Sequence, residues 1–339
     1  MSLYTPSSPH MHANTSIAQV MSKVLLALLP GIAAYVWLFG WGIVVQLSFA
    51  TLLALAAEAL MLRLRRRPLL PFLSDGSAIV TAWLLCLSIP PIAPWWITAI
   101  GVLFAIVLAK HLYGGLGYNP FNPAMVGYAA LLISFPAEMT AWQAPQALDL
   151  AQAASLIFLA PPREVLDAVT GATPMDFLKT QLGLDKTVDE VIGHGPLFGY
   201  LAGKTQEILN LMFLLGGLWL IRQRIIGWQI PAAMLASLAT IAAVFHLYDP
   251  QQFASPAFHL ASGAVMLGAF FIATDPVSAS TTPRGRLIYG AGIGILIYVI
   301  RTWGGYPDGV AFAVLLLNIC APTIDYYTKP RVFGHGDKD

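Results

Sequence analysis

Long uncharged stretches alternate with short polar ones along this chain. No Asp, Glu, Lys or Arg occurs between Val24 and Ala57, or between Gly76 and Ala109. About 20 apolar helical residues cross a hydrocarbon core of roughly 30 Å. The pattern predicts ten transmembrane helices, at about 24–41, 43–62, 77–90, 95–112, 124–136, 206–221, 228–247, 258–274, 287–303 and 309–325. We therefore expect an all-α polytopic membrane protein.

The basic residues orient these helices, because Lys and Arg accumulate in cytoplasmic loops. With the N-terminus inside, 13 of the 18 fall on the cytoplasmic side: Lys23, Arg63, Arg65, Arg66, Arg67, Lys110, Arg222, Arg224, Arg284, Arg286, Lys329, Arg331 and Lys338. Four of the others lie in one long loop, and Arg301 is the exception in a short loop. Both termini are predicted to be cytoplasmic.

The long loop, residues 137–205, is then extracytoplasmic. The stretch from Glu138 to Glu207, which ends just past the loop, has nine acidic and four basic residues, a net charge of −5. Helix-like stretches at 147–159 and 187–192, with their apolar positions, argue against disorder. We expect a small water-facing subdomain between residues 1–136 and residues 206–339, the second of which ends in a cytoplasmic tail.

The two membrane parts resemble each other. The stretch Gly76–Ala82 is similar to Gly263–Ala269, and Tyr113-Gly114-Gly115 recurs as Trp303-Gly304-Gly305. The offsets, 187 and 190 residues, are nearly equal. The similarity predicts two five-helix repeats of opposite orientation, an arrangement common in transporters. The alternative is that Gly/Ala patterns recur by chance in apolar helices.

Composition excludes several kinds of site. Hydrophobic residues make up 57% of the chain and charged ones 10%, and the net charge of +1 leaves no broad basic surface for nucleic acid. The histidines are scattered, so no metal site is expected. Cys86 and Cys320 fall in apolar stretches and are predicted to be small core residues.

Two glycine motifs are set aside. Gly203-Lys204-Thr205 lacks the glycine that a phosphate-binding loop needs five positions earlier, where Phe198 stands. The apolar run containing Gly290, Gly292 and Gly294 indicates close helix packing better than a dinucleotide fingerprint.

Three acidic residues fall within or at the ends of predicted spans, where charge is expensive. Each has a functional reading, in ion transport, and an alternative, in pairing with a nearby basic group. We expect pairing: Glu58 with the Arg63–Arg67 cluster, Asp275 with Arg284 and Arg286, and Asp325 next to Lys329. Asn119 and Asn122 lie in a proline-rich break between two spans, which must be buried in protein or line a cavity.

One loop segment, Asp167–Asp176, carries candidate chemistry. Gly171 and Ala172 leave the backbone open to approach, and Pro174 keeps Thr173 out of a continuing helix. Thr173 therefore offers a hydroxyl for modification. The alternative is a helix start in which Thr173 is the cap and Pro174 the first residue. The two readings are compatible.

Along about residues 6–335, the chain resembles the D subunit of the Rnf electron-transport complex. That family is related to the B subunit of the sodium-pumping NADH:quinone oxidoreductase. The resemblance rests on these segments: Leu29-Pro30-Gly31-Ile32-Ala33, Ser88-Ile89-Pro90-Pro91, Tyr113-Gly114-Gly115-Leu116-Gly117, Asn119-Pro120-Phe121-Asn122-Pro123-Ala124, Thr274-Asp275-Pro276-Val277 and Gly304–Phe312. The short polar stretch before Lys23 favours the Rnf protein over its quinone-reductase relative.

The resemblance implies a covalent cofactor. In this family a flavin transferase attaches FMN, through a phosphoester, to the last threonine of an Asp followed by Ser/Thr-x-Ala-Thr. Here that threonine is Thr173, and Asp167, Thr170, Gly171 and Ala172 complete the motif. No side chain is expected to be catalytic, because the flavin is the reactive group.

The resemblance also implies a setting. We expect a subunit of the bacterial inner membrane with a periplasmic flavin loop, in contact with membrane lipid and with the other Rnf subunits. The complex is expected to couple electron transfer between ferredoxin and NAD to ion movement. A second, noncovalent flavin such as riboflavin is a further expectation. The alternatives are the corresponding protein of the sodium-pumping quinone reductase and a non-redox permease built on inverted repeats.

Overall fold

Apolar helices follow one another through the computed structural model, which describes residues 16–159, 162–194, 197–306 and 308–329. The predicted cytoplasmic ends, 1–15 and 330–339, lie outside the described residues. Within these residues, six helical stretches are long and apolar enough to cross a membrane: Ile17–Phe39, Gly42–Leu64, Leu69–Ser88, Gln229–Tyr248, Pro283–Trp303 and Val310–Thr328. Two shorter apolar helices are Trp95–His111 and Pro123–Ser134. The chain is thus an all-α polytopic membrane protein.

The helices fall into three consecutive groups. The first contains α1 (Ile17–Phe39), α2 (Gly42–Leu64), α3 (Leu69–Leu73), α4 (Ser77–Ser88), α5 (Trp95–Leu103, continued as a π-helix over Phe104–His111) and α6 (Pro123–Ser134). The second contains α7 (Pro136–Thr140), α8 (Leu150–Phe158), α9 (Arg163–Val169), α10 (Pro174–Leu182) and α11 (Val188–His194). The third contains α12 (Lys204–Arg222), α13 (Gln229–Tyr248), α14 (Pro256–Ala261), α15 (Val265–Leu267, continued as a π-helix over Gly268–Ile272), α16 (Pro283–Trp303) and α17 (Val310–Thr328). Nine of the ten stretches predicted as spans are mostly helical, and the tenth, 258–274, is interrupted between Ala261 and Val265.

Helix α1 shows how the sequence sets an element's limits. Ser16 begins it with a capping box, in which the Ser16 and Gln19 side chains each bind the other's backbone N–H. Gly40 ends it at φ +82°, and a Cβ there would lie 2.1 Å from the carbonyl oxygen of Leu148. The same turn bonds to Leu148 through Trp41 N–H and Phe39 C=O, at 3.1 Å each. The second helix group is therefore attached to the end of α1.

Small residues let the long helices touch. A Cβ on Gly216 of α12 would lie 2.0 Å from the Ala27 carbonyl oxygen of α1. A Cβ on Gly290 or Gly294 of α16 would lie 2.6 Å or 2.2 Å from a carbonyl oxygen of α13. The packing interpretation of these glycines is confirmed.

Helix α6 meets α17 through a buried amide pair. Asn122 caps α6, and its backbone N–H donates to Asn318 Oδ1 at 3.0 Å. Its side-chain Nδ2 donates to the Ile272 carbonyl at 3.2 Å. The break predicted at Asn119 and Asn122 is buried in protein, and both residues are at most 3% exposed.

The second helix group has small cores of its own. Predicted helical stretches in it coincide with α8 and α11, so they are confirmed. Met175, Leu178, Val191 and Phe198 form one buried cluster with residues of the α13–α14 region. The segment is folded and packed onto the membrane helices.

The prediction that both cysteines are core residues is confirmed for one and wrong for the other. Cys86 is buried, as predicted, whereas Cys320 is exposed on α17 and is not a core residue. Apolar helices that face lipid keep apolar residues on their outer surface, so an apolar neighbourhood does not by itself indicate burial.

Candidate functional site

Thr173 stands at the start of a helix. Its φ and ψ of −68° and 154° are extended, and its Oγ1 accepts the Asp176 backbone N–H at 3.2 Å. Pro174 is the first residue of α10. The helix-start interpretation is therefore confirmed. The hydroxyl hydrogen takes no part in this cap, so the oxygen can cap the helix and be esterified together.

The residues just before Thr173 are hydrogen-bonded to a second segment, residues 142–144. The Gly171 N–H donates to the Trp142 carbonyl at 2.8 Å, and the Ala144 N–H donates to the Val169 carbonyl at 2.9 Å. Between these bonds, Gln143 and Thr170 form an isolated antiparallel bridge. The segment before Thr173 is thereby fixed to the residues that follow α7.

The five predicted site residues do not share one surface. Gly171, Ala172 and Thr173 line a common cavity. Asp167 is exposed on α9, and the Thr170 hydroxyl donates to the Leu166 carbonyl at 2.9 Å at the end of that helix. Only the last three residues of the predicted motif therefore face the space in which a cofactor would lie.

This cavity, of about 530 Å³, lies where the second helix group meets α1, α6, α12 and α17. Its volume falls within the range of small-molecule sites. Much of the wall is aromatic: Tyr35, Phe39, Tyr128, Trp142, Phe177 and Phe213. Such a wall suits a planar ring system.

Part of the lining is a break in the third helix group, between α14 and α15. Asn210 Nδ2 donates to the carbonyls of Ala261 and Gly263, at 2.9 and 3.0 Å. Asp308 Oδ2 accepts the Ala264 N–H at 2.9 Å. These side chains satisfy backbone groups that a continuous helix would have paired.

A second helix start lies beside Thr173. A Cβ on Gly203, the residue before α12, would lie 2.2 Å from Pro174 Cγ. Lys204 and Thr205 line the cavity together with Thr173. The starts of α10 and α12 therefore converge at the cavity, and helix N-termini and a lysine all favour an anion. Asp176 and Asp308 also line it and oppose this effect.

Lys179 anchors α10 on its other side. Its Nζ donates to the carbonyls of Gly304 and Tyr306, at 2.5 and 3.0 Å. Burial lowers the pKa of Lys179, and the nearby Asp176 partly opposes that shift. These bonds attach the helix that begins at Thr173 to the loop between α16 and α17.

Arg301, the apparent exception in the orientation of the helices, lies inside α16 and not in a loop. It is 3% exposed and pairs with Asp308 at 3.2 Å. Its guanidinium also donates to the carbonyls of His259 and Ser262. A buried, paired basic residue does not report which side a loop faces. This removes Arg301 as an exception, and it also removes Lys110, which is 1% exposed and paired with Glu58, from the cytoplasmic count.

A buried ionic cluster lies elsewhere, between α2, α4 and the end of the Phe104–His111 π-helix. Lys110 Nζ donates to both Glu58 oxygens and to Ser77 Oγ, each at 2.9 Å. His111 Nε2 lies 3.1 Å from Glu58 Oε2. Ser77 in turn binds the Asp75 carboxylate. Sequence reasoning missed this cluster because its partners are far apart along the chain.

All three predicted acid–base pairings are wrong. Glu58 pairs with Lys110 and His111 and not with the arginines of the neighbouring cluster. Asp275 accepts Ser278 Oγ at 2.6 Å, and Asp325 accepts the backbone and hydroxyl of Thr281 at the start of α16. Polar groups at helix ends bind carboxylates better than flexible, solvated arginines do.

Known proteins match this chain along nearly its whole length. A profile of the NQR2, RnfD, RnfE family matches residues 4–334. A Vibrio atlanticus protein, named as the D subunit of an ion-translocating oxidoreductase complex, is 53% identical over 350 residues, covering 99% of this chain and all of the relative. Proteins of the same name from Aliivibrio salmonicida and Escherichia fergusonii are 51% and 50% identical, covering at least 97% of each chain.

Proposed function

We propose that this chain, which belongs to the NQR2, RnfD, RnfE family, carries FMN as a phosphoester on Thr173. It is a membrane subunit of an ion-translocating oxidoreductase complex of the Rnf type, and so part of a translocase. The relatives that match it end to end are named as D subunits of such complexes, which favours this function over a sodium-pumping quinone reductase or a permease.

The observation that carries the flavin proposal is the position of Thr173. The residue is half-buried and lines a cavity of about 530 Å³ that has six aromatic side chains in its wall. A phosphate on Oγ1 would lie at the N-terminus of α10 and close to that of α12, and Lys204 lines the same space. The residues present thus fit both the anionic and the planar part of FMN.

The bound flavin would supply the one- and two-electron chemistry that no side chain provides. The chain's own residues would keep it in place. The covalent bond prevents loss by dilution, the aromatic wall excludes water from the ring, and Lys179 holds α10 against the loop after α16. Fixing the ring at a defined distance from its redox partners in other subunits is the contribution of the protein.

An inverted repeat of two five-helix units is proposed for the membrane part, with ten crossings. Support comes from equivalent positions. Gly76 and Gly263, 187 positions apart, both precede a helix with a left-handed backbone, at φ +78° and +63°. His111 and Arg301, 190 positions apart, are both buried in the last turn of a long helix beside an acid: His111 Nε2 lies 3.1 Å from Glu58 Oε2, and Arg301 pairs with Asp308. Helix α1 packs on α12, and α6 packs on α17, which is compatible with a two-fold relation between the two units.

The remaining setting is proposed with it. The cytoplasmic termini, the periplasmic position of residues 137–205, the bacterial inner membrane and maturation by a flavin transferase rest on the basic-residue distribution and the family. A second, noncovalent flavin such as riboflavin stays a prediction.

The test is flavin fluorescence of the chain on a denaturing gel, after expression with the flavin transferase. We expect a fluorescent band from the native sequence and none from Thr173→Ala. Thr180→Ala, which removes an exposed hydroxyl on the same helix outside both the motif and the cavity, is the control and is expected to stay fluorescent. A fluorescent Thr173→Ala band would contradict the proposal.

A further inference from the structure

One buried amide oxygen at the cavity has no partner. Gln143 lines the cavity and is 5% exposed. Its Oε1 accepts no hydrogen bond from the described residues. Buried polar atoms in native proteins are nearly always paired, so an unpaired acceptor beside a cavity indicates a donor on whatever the cavity binds.

The orientation of this amide is set by its other atom. Gln143 Nε2 donates to the carbonyl oxygens of Phe39 and Gln146, at 2.7 Å each. Carbonyl oxygens accept only, so both must face the NH₂ group and not the amide oxygen. Oε1 therefore stays an acceptor and cannot exchange places with the nitrogen.

Gln143 is also held in register with the attachment point. Its backbone bridges to Thr170, three residues before Thr173, and the bonds at Gly171 and Ala144 flank that bridge. An acceptor and a modifiable hydroxyl thus lie on two segments that are bonded to each other. Because the two segments are fixed relative to each other, this acceptor would keep a constant position relative to the attachment point of a ligand esterified at Thr173.

The chemistry of the acceptor selects among ligands. A quinone ring has carbonyl acceptors and leaves Oε1 unpaired. An oxidised isoalloxazine has a single N–H, at the imide N3, and keeps it when the ring is reduced, whereas N5–H exists only after reduction. Within the ring, only N3–H can satisfy Oε1 in both redox states. The ribityl hydroxyls of FMN are donors in both states too, and 3-methyl-FMN, which keeps them and lacks N3–H, distinguishes the two kinds of donor. We infer that Gln143 Oε1 accepts the N3–H of the flavin and so orients the ring, an inference that rests on the proposed function.

The inference is tested with flavin that is not attached. Purified complex carrying Thr173→Ala is titrated with FMN and with 3-methyl-FMN, which lacks the N3–H, following the fluorescence of the added flavin. We expect FMN to bind about tenfold more tightly, the effect of one buried hydrogen bond. Adding Gln143→Met should remove the difference between the two flavins. Gln252→Met, at an exposed glutamine outside this cavity, should leave it unchanged.

The outcomes separate the two claims. Equal binding of the two flavins with Gln143 present, or binding of neither, overturns the role of Gln143. Absence of covalent flavin from the native chain overturns the proposed function instead. Because 3-methyl-FMN changes only the ligand, the comparison holds even if Gln143→Met loosens the contact with Phe39.

Discussion

At the scale of single residues, Thr173 combines two roles in one oxygen. It caps α10 and is the proposed point of attachment, and its cap leaves the hydroxyl hydrogen free. The sequence predicts this position well, because Thr-Pro with an acidic residue shortly after is a local signal. It does not predict Gln143, which meets the same cavity through backbone pairing between distant segments.

The Glu58 pairing illustrates the same limit. Glu58 and Lys110 are 52 positions apart and come together only when α2 packs against the end of the Phe104–His111 helix. Nearby arginines are the obvious partners in the sequence, but Arg63, Arg66 and Arg67 are exposed, and Arg65 donates to the His111 carbonyl at 3.4 Å. Burial, which the sequence does not give directly, decides which pair forms.

Replacing Glu58 by Gln should destabilise the protein strongly. Lys110, 1% exposed, would lose the carboxylate that accepts two of its hydrogen bonds. Breaking a buried pair from one side typically removes about 3–5 kcal/mol of stability. Thermal unfolding of the purified protein in detergent measures the loss. The double variant Glu58→Gln with Lys110→Met should recover much of it, and a double variant no more stable than Glu58→Gln would contradict this pairing.

At the scale of elements, the site depends on contact between two helix starts. Apolar runs and charge predict where most of the apolar helices lie, because this prediction needs only local sequence. The breaks within helices are harder to predict. The break between α14 and α15 is held by Asn210 of α12 and by Asp308 of the loop between α16 and α17. The convergence of α10 and α12 likewise depends on Gly203, which the sequence presents only as part of an incomplete phosphate-loop motif.

Gly203→Ala should therefore reduce flavin attachment. The added methyl would lie 2.2 Å from Pro174, so the start of α10 must move away from that of α12. Attachment is measured as gel fluorescence per amount of chain, and we expect a severalfold decrease. Gly193→Ala is the matched control, because a Cβ at Gly193 meets no atom within 4 Å. Equal labelling of the two variants would show that the contact does not matter.

Gly294→Ala should weaken the packing of α16 on α13. Its Cβ would lie 2.2 Å from the Met234 carbonyl oxygen, a backbone atom that cannot turn aside. Overpacking of this kind typically destabilises by about 1–3 kcal/mol. Unfolding in detergent reports the change, with Gly305→Ala, which meets nothing within 4 Å, as its reference. Unchanged stability of Gly294→Ala would count against close packing here.

At the scale of the whole molecule, the sequence predicts how the helices are oriented in the membrane, and the structure shows how the three helix groups pack together. Basic residues predict which loops face the cytoplasm, and the burial of Arg301 removes the one exception. What the sequence does not give is the cavity, since its walls come from all three helix groups.

The orientation is tested with single cysteines in a variant lacking Cys86 and Cys320. A membrane-impermeant thiol reagent, added to intact spheroplasts, should label Lys186→Cys in the 137–205 segment and not Arg222→Cys at the end of α12. Both positions are exposed, so only their side of the membrane should distinguish them. Labelling of Arg222→Cys alone would reverse the proposed topology.

The central claim is the ester on Thr173, and peptide mass spectrometry of the native complex tests it most directly. The peptide containing Thr173 should gain the mass of FMN less one water, with fragment ions placing the addition on that residue. An unmodified peptide from protein made alongside an active flavin transferase, or an FMN mass on another residue, would contradict the account.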